Sequence, residues 1–207
     1  LDEFVDMYDV SCGLNPSLQY QIDSNFLPDG WRSYMSRAVK DKFGKPVINT
    51  GNYRDPKIVE KVLESGDVDI VGMGRGLIAE PNWVKKVQSG EEDMLRKCIS
   101  CNVGCAGNRI GVNRPIRCTV NPSVPEGDIY KKLKVNKNCN VVVIGAGTAG
   151  MEAACTAAEV GCNVFLLEKK DHVGGLSSFI STLPSKTRMK DFPKYLEKRA
   201  SKLDNLY

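Results

Sequence analysis

A run of four apolar residues, Val141-Val142-Val143-Ile144, leads straight into Gly145-Ala146-Gly147-Thr148-Ala149-Gly150. Few patterns constrain a fold more tightly. The β-branched run reads as a buried strand, and the small-residue stretch over 149–160 as the helix after it. Gly145 permits the tight turn between them. Gly147 lets the backbone, with that of Ala146, approach a pyrophosphate, and Gly150 lets helix and strand pack closely. The helix N-terminus then offers free N–H groups and positive dipole to phosphates. A second strand over 163–168 ends at Glu168, where a carboxylate can accept hydrogen bonds from an adenosine ribose. Gly174-Gly175 gives either another close backbone approach or a plain loop turn. A helix is predicted over 187–202.

The first 90 residues alternate strand and helix. Strands are expected over 4–10, 46–50 and 68–72. Trp31, Tyr34, Met35, Ala38, Val39 and Phe43 recur at helical spacing over 31–43, closed by Gly44. Asp55-Pro56 starts a helix, with Asp as cap and Pro in the first turn, and Gly66 ends it. Another helix is expected over 81–89. This rhythm fits a parallel sheet, open or closed into a barrel. Gly51-Asn52 follows one strand and Gly74-Arg75 the next. Backbone N–H groups and a guanidinium at such strand ends could clamp a monophosphate, although plain loops and a surface arginine read equally well.

Between these parts stand Cys98, Cys101, Cys105 and Cys118, in a stretch with little apolar periodicity. Four thiolates suit tetrahedral zinc or a cubane iron–sulfur cluster. Structural zinc usually pairs its ligands in two CxxC knuckles. Three cysteines close together and one remote suit a cluster better. Arg109, Arg114 and Arg117 could offset a cluster's negative charge, or simply be solvated. Cys12, Cys139, Cys155 and Cys162 read as free thiols, and His172, the only histidine, as solvated.

Composition narrows the setting. No apolar run approaches the ~18 residues of a membrane span. There is no charged-then-apolar leader, so a cytoplasmic protein with reduced cysteines is expected. The net charge is +4 over 207 residues. Its excess lies at Lys131, Lys132, Lys134 and Lys137, then from Lys186 to Lys202. No aromatics interleave with these lysines, so no nucleic-acid footprint is expected. The chain begins in mid-strand register and stops one helix after a second strand, so a fragment is expected.

The residues also carry a family resemblance. The segment Asp69-Ile70-Val71-Gly72-Met73-Gly74-Arg75-Gly76-Leu77-Ile78-Ala79-Glu80-Pro81 resembles the last barrel strand and loop of Old Yellow Enzyme-type NADH:flavin oxidoreductases. The cysteine quartet followed by Asn121-Pro122 resembles the iron–sulfur segment of their larger branch. That branch includes 2,4-dienoyl-CoA reductase, 2-enoate reductase and trimethylamine dehydrogenase. The Gly145 turn with Glu168 and Gly174-Gly175 resembles its FAD-binding domain.

This resemblance implies an α/β architecture in three parts. Residues 1–90 would be the C-terminal part of an FMN-binding TIM (β/α)8 barrel. Residues 91–137 would be a 4Fe–4S segment and linker, and 138–207 the start of a Rossmann-like FAD/NAD(P)-binding domain. Electrons would pass from NAD(P)H through FAD and the cluster to FMN, then to an activated C=C bond of an enoate, enone or CoA-ester substrate. Amines also suit relatives. Cys98, Cys101, Cys105 and Cys118 would hold the cluster. Gly51, Asn52, Gly74 and Arg75 would hold the FMN phosphate. Gly145, Ala146, Gly147, Gly150, Glu168, Gly174 and Gly175 would hold FAD. Gly76, where many relatives carry proline, should loosen its loop.

A complete barrel needs roughly 250 residues. The catalytic acid and substrate pocket are therefore expected upstream, and this piece alone is expected to be inactive. Two rival readings stand beside this one. The first is an electron-relay subunit like the small subunit of glutamate synthase; the second is a zinc-stabilised nucleotide-binding module without redox chemistry.

Overall fold

The computed structural model describes residues 2–124 and 134–207. Lys131 and Lys132 of the expected linker lie outside them. The first half contains β1 (Tyr8–Val10), α1 (Leu18–Gln21), α2 (Ser33–Phe43), β2 (Val47–Thr50), α3 (Pro56–Glu64), β3 (Ile70–Gly72), α4 (Arg75–Ala79) and α5 (Trp83–Gln88). The second half contains β4 (Asn140–Ile144), α6 (Thr148–Glu159), β5 (Asn163–Leu167), α7 (Gly175–Ile180) and α8 (Asp191–Ala200). Strands β1, β2 and β3 form a parallel sheet in that order, and β4 and β5 form a second parallel pair. The α/β expectation is met.

Helix α3 shows why these residues fold as they do. Asp55 accepts the backbone N–H of Lys57 at 3.2 Å, Pro56 occupies the first turn, and Gly66 closes the far end at φ +71°. Its buried Val62 packs on Tyr53 and Val68, tying the helix to the β2–β3 end of the sheet. Asp69 then locks β3 to β2, accepting the N–H of Val47 at 2.9 Å and Lys40 Nζ at 2.7 Å.

Helix α6 is rich in alanine, and this brings it close to β4 and β5. Ala154, Ala158 and Val164 form one dry cluster; Met151, Tyr195 and Leu196 form another against α8. Arg199 of α8 is buried and pairs with Glu152 and Glu159 of α6. Residues 205–207 return beside β5, where Tyr207 donates to the carbonyl of Val164 at 2.8 Å. The sheet thus grows outward in chain order.

The two halves are docked by charge. Asp29 accepts from both Arg54 (2.9 Å) and Arg188 (2.6 Å), and Arg54 also reaches Asp191. Tyr195 accepts a hydrogen bond from Arg96 at 3.0 Å.

Several boundaries differ from expectation. The first strand covers only Tyr8–Val10, because residues 2–4 form a 3-10 turn. Helix α2 starts at Ser33 and turns buried Ser36 inward, while Tyr34 is exposed. The helix expected over 187–202 is shorter: Pro184–Lys190 wind as 3-10, and α8 runs only over Asp191–Ala200. The loop at Gly76 is not loosened. It lies within α4, buried, where a Cβ would meet the sulfur of Met73 at 2.5 Å.

Replacing Arg199 with Met removes the cation that part-solvated Glu152 and Glu159 share. The expected cost is about 2 kcal/mol, below the fully buried range because both glutamates keep some water. Urea unfolding checks this, and an unchanged midpoint would show that α8 needs no ion pair to dock.

Candidate functional site

The loops after β2 and β3 meet at a pocket of about 330 Å³, bordered by Asn52, Gly74 and Arg75 on one side and Cys98 and Cys105 on the other. Its floor is a charged hub. Asp23 is 1% exposed and accepts Trp31 Nε1 (2.7 Å) and Arg32 Nη2 (2.7 Å), with Arg75 Nη2 at 3.4 Å. Arg32 lines the pocket, and its buried Nε has no hydrogen-bond partner among the described residues. A buried cationic donor without an acceptor is uncommon, and this one lies inside the wall beside Gly51.

The phosphate residues read from sequence are only partly arranged as expected. Arg75 lies on the pocket, but its Nη1 is spent on Asn102 Oδ1 at 2.5 Å and on the carbonyl of Asp23. The Asn52 side chain faces the protein. It donates to the Leu27 carbonyl at 3.2 Å and accepts from Ser100 Oγ at 2.7 Å. Gly51 sits behind the wall, where a Cβ would approach Arg32 to 3.1 Å. Backbone groups around Asn52 and Gly74, not the asparagine amide, are therefore what this end can offer an anion.

Cys98, Cys101, Cys105 and Cys118 border a single smaller pocket. No disulfide joins any of the described cysteines. Cys98 Sγ accepts the N–H of Ser100 at 3.4 Å, and Cys101 Sγ lies 3.2 Å from the Thr119 hydroxyl. The Cys118 sulfur accepts backbone N–H groups of Val120 and Asn121. Burial pushes the thiols of Cys98 and Cys118 up. Gly104 makes the ring possible, since a Cβ there would sit 2.6 Å from the carbonyl oxygen of Arg117. The stretch Val103–Gly111 is a π-helix, a wide turn often found at functional sites. Among the described residues no three His, Cys, Asp or Glu side chains are arranged to hold one metal ion. Arg114 and Arg117 are exposed, and Arg109 pairs with Asn113 at 2.6 Å.

The glycine turn is built as read. Gly145 takes φ +97°, which a side chain disfavours, and a Cβ on Gly150 would lie 1.9 Å from the Gly145 oxygen. Glu168 reaches back into the turn, accepting the N–H of Ala146 at 2.8 Å and of Lys170 at 3.0 Å. These N–H groups, Ala146 first, hold its carboxyl below the usual range. Gly174 joins the same construction by donating to the Ala146 carbonyl at 2.8 Å. At Gly174 a Cβ would collide with Ser178 and Pro193. Gly147 and Gly174 are bridged, so both glycine pairs meet at one place. His172 is exposed beside Asp171.

The cysteine pocket touches both neighbours. Cys98 and Cys105 also line the first pocket. Cys118, Thr119 and Val120 also line a groove of about 260 Å³ against Thr148, Ala149 and Glu152 of α6. Asp23, Arg32, Ser100 and Asn102 were not legible as site residues. Arg32 falls at the start of the helix read over 31–43, off its apolar face, and nothing local reveals a buried carboxylate at Asp23.

The comparisons with known proteins fit this geometry. Residues 21–94 match the NADH:flavin oxidoreductase / NADH oxidase family. Residues 140–196 match the FAD dependent oxidoreductases. An NADH oxidase of Thermoanaerobacter brockii is 42% identical over 93% of the chain, which spans 30% of that protein. A cinnamate reductase of Clostridium sporogenes is 33% identical over 75% of the chain, covering 22% of its own length. A solved 2-naphthoyl-CoA reductase, in complex with 2-naphthoyl-CoA, superposes with a TM-score of 0.89 at 28% identity. That match covers 97% of the chain and 30% of the enzyme. The chain thus spans less than a third of each relative. Among its described residues no helix is long and apolar enough to cross a membrane.

Glu168 gives a pH test. Because its folded pKa is depressed, the stability it lends the turn is present above the unfolded carboxylate value and is lost as pH falls through the lower folded value. The amide shift of Ala146 should titrate with a midpoint below the ordinary Glu range. A midpoint at or above that range would break the assignment.

Proposed function

We propose that this chain is the meeting point of a flavin and iron–sulfur oxidoreductase that reduces an activated C=C bond of an enoate, enone or enoyl-CoA type at the expense of NAD(P)H. In this reading residues 1–90 close an FMN-binding (β/α)8 barrel. Residues 91–137 carry a 4Fe–4S cluster and linker, and residues 138–207 begin the FAD/NAD(P)-binding domain. The observation that carries it is the sharing of cysteines: Cys98 and Cys105 face the first pocket while Cys118 faces the groove at α6.

The residues suit these groups. Four thiols are the donor set of an iron–sulfur cluster, and the N–H groups of Ser100, Val120 and Asn121 point at its sulfurs. In a cubane each thiolate takes a different iron, so the ligands need not converge on one point. The spacing, three cysteines close together and one remote, suits a cluster better than paired zinc knuckles.

The backbone at Asn52 and Gly74, with Arg75, would hold the FMN phosphate, while Gly51 would shape the wall behind it. Gly145, Ala146, Gly147 and Gly150 would receive the FAD pyrophosphate on the α6 N-terminus, with Glu168, Gly174 and Gly175 beside it. When bound, the flavins and cluster supply the electron transfer between NAD(P)H and substrate. The chain's own residues orient those groups, neutralise phosphate charge and keep the cysteine pocket largely out of water.

An anaerobic visible spectrum with iron, zinc and flavin analysis of the full-length protein tests this. About four irons with both FMN and FAD are expected; zinc without flavin would overturn the reading. Turnover of enones and enoyl-CoA esters, set against amines, then fixes the substrate class. Gly104→Ala should lower iron content while leaving FAD in place, because it forces the 101–105 loop away from Arg117.

A further inference from the structure

Asn102 lies between two of the four cysteines, yet its side chain is directed away from them. It takes φ +58°, a conformation that asparagine tolerates better than other side chains. Its Oδ1 accepts Arg75 Nη1 at 2.5 Å. Its Nδ2 donates to the carbonyl oxygens of Ile22 (3.2 Å) and Asp23 (3.3 Å). One amide therefore ties the cysteine segment to the 22–23 segment and to the guanidinium on the first pocket. Both Nη1 hydrogens of Arg75 are committed, one to Asn102 and one to the Asp23 carbonyl. Its Nη2 makes only the longer 3.4 Å contact with Asp23, and its Nε bonds to no described residue. That leaves the Nε–Nη2 edge as the one able to take an anion side-on with two hydrogen bonds.

We infer that Asn102 is a positioning residue through which the cysteine segment sets the affinity of the first pocket for a phosphate group. The inference rests on the reading that this pocket takes the FMN phosphate. Asn102 fixes the rotation of the Arg75 guanidinium, and the order of the cysteine segment fixes Asn102. Occupancy of the cysteine site and of the phosphate site then stabilise each other, and linkage makes the effect reciprocal. Neither Asn102 nor the Asp23 carbonyl needs to touch the flavin.

The test uses the full-length protein with its iron in place and reads the dissociation constant of FMN by flavin fluorescence. Asn102→Gly keeps the left-handed backbone and removes only the amide. It should weaken FMN about tenfold. Arg75→Met should weaken it further. In the Arg75→Met background, Asn102→Gly should add nothing, because the amide acts through the guanidinium.

Equal affinity in Asn102→Gly and wild type, or additive losses in the double variant, would overturn the inference. A second measurement needs no variant: removing iron from the wild type with a chelator under anaerobic conditions should weaken FMN about tenfold, and an unchanged constant would overturn the inference as well. If the wild type holds iron but binds no FMN, the reading of the pocket falls and the inference with it. If it binds FMN and fails only the variant tests, the reading of the pocket stands alone.

Discussion

The ion lattice of Asp29, Arg54, Arg188 and Asp191 is the constraint on which the arrangement of the sites depends. Its members are roughly nine-tenths buried, apart from the more open Asp191. Burial at such a junction pulls the Arg188 guanidinium down, and Asp29 opposes it. Isolated charges would be costly there, and the lattice is tolerable because both Asp29 oxygens and Oδ2 of Asp191 meet guanidinium nitrogens. Hydrophobic contact alone could dock the halves in several ways, but a bidentate charged joint accepts few. Arg54 extends the joint by donating to the Cys98 carbonyl at 3.3 Å, while its own carbonyl accepts the indole N–H of Trp83. Cys98 is thus held by the joint that fixes the two sheets.

The cysteine segment itself has little apolar core. Ile99 and Val120 are buried against Ala79, and beyond them the segment depends on polar ties to both neighbours. Ser100 reaches Asn52, Asn102 reaches Arg75, and Asn121 donates to the Ile78 carbonyl at 2.9 Å. One tie ends on the loop after β2, and the other two end on the short helix α4. A region built this way takes its shape from its surroundings and from whatever its thiols bind. This explains its wide helical turn and its unusual share of left-handed residues.

What could be read from sequence follows the range of the cause. The turn at Gly145 was fully legible, because strand, glycines and helix are contiguous and each glycine has a local reason. Helix α3 was legible for the same reason, through Asp55 and Pro56. The cysteines could be named as a set, but not their placement between two pockets. The lining of the first pocket was half legible. Gly74 and Arg75 do border it, yet the Asn52 amide is claimed by Ser100, a partner 48 residues away. Asp23 and Arg32 were hidden because a buried charge pair leaves no periodic trace. The apolar face assigned to α2 failed at Tyr34 and Ala38, since Ser36 and Arg32 hold the inward positions.

Asn52 and Asn102 also bear on how such a chain can diverge. Each sits at positive φ and each has its amide engaged at both ends. Glycine would satisfy the backbone but abandon the hydrogen bonds. Glutamine would keep the amide but lose the conformation. Neither position has a single-step neighbour that meets both demands, so drift there is blocked twice over. Exposed Tyr34 is free to wander, while these two small amides hold still for reasons that hydrophobic patterning never records.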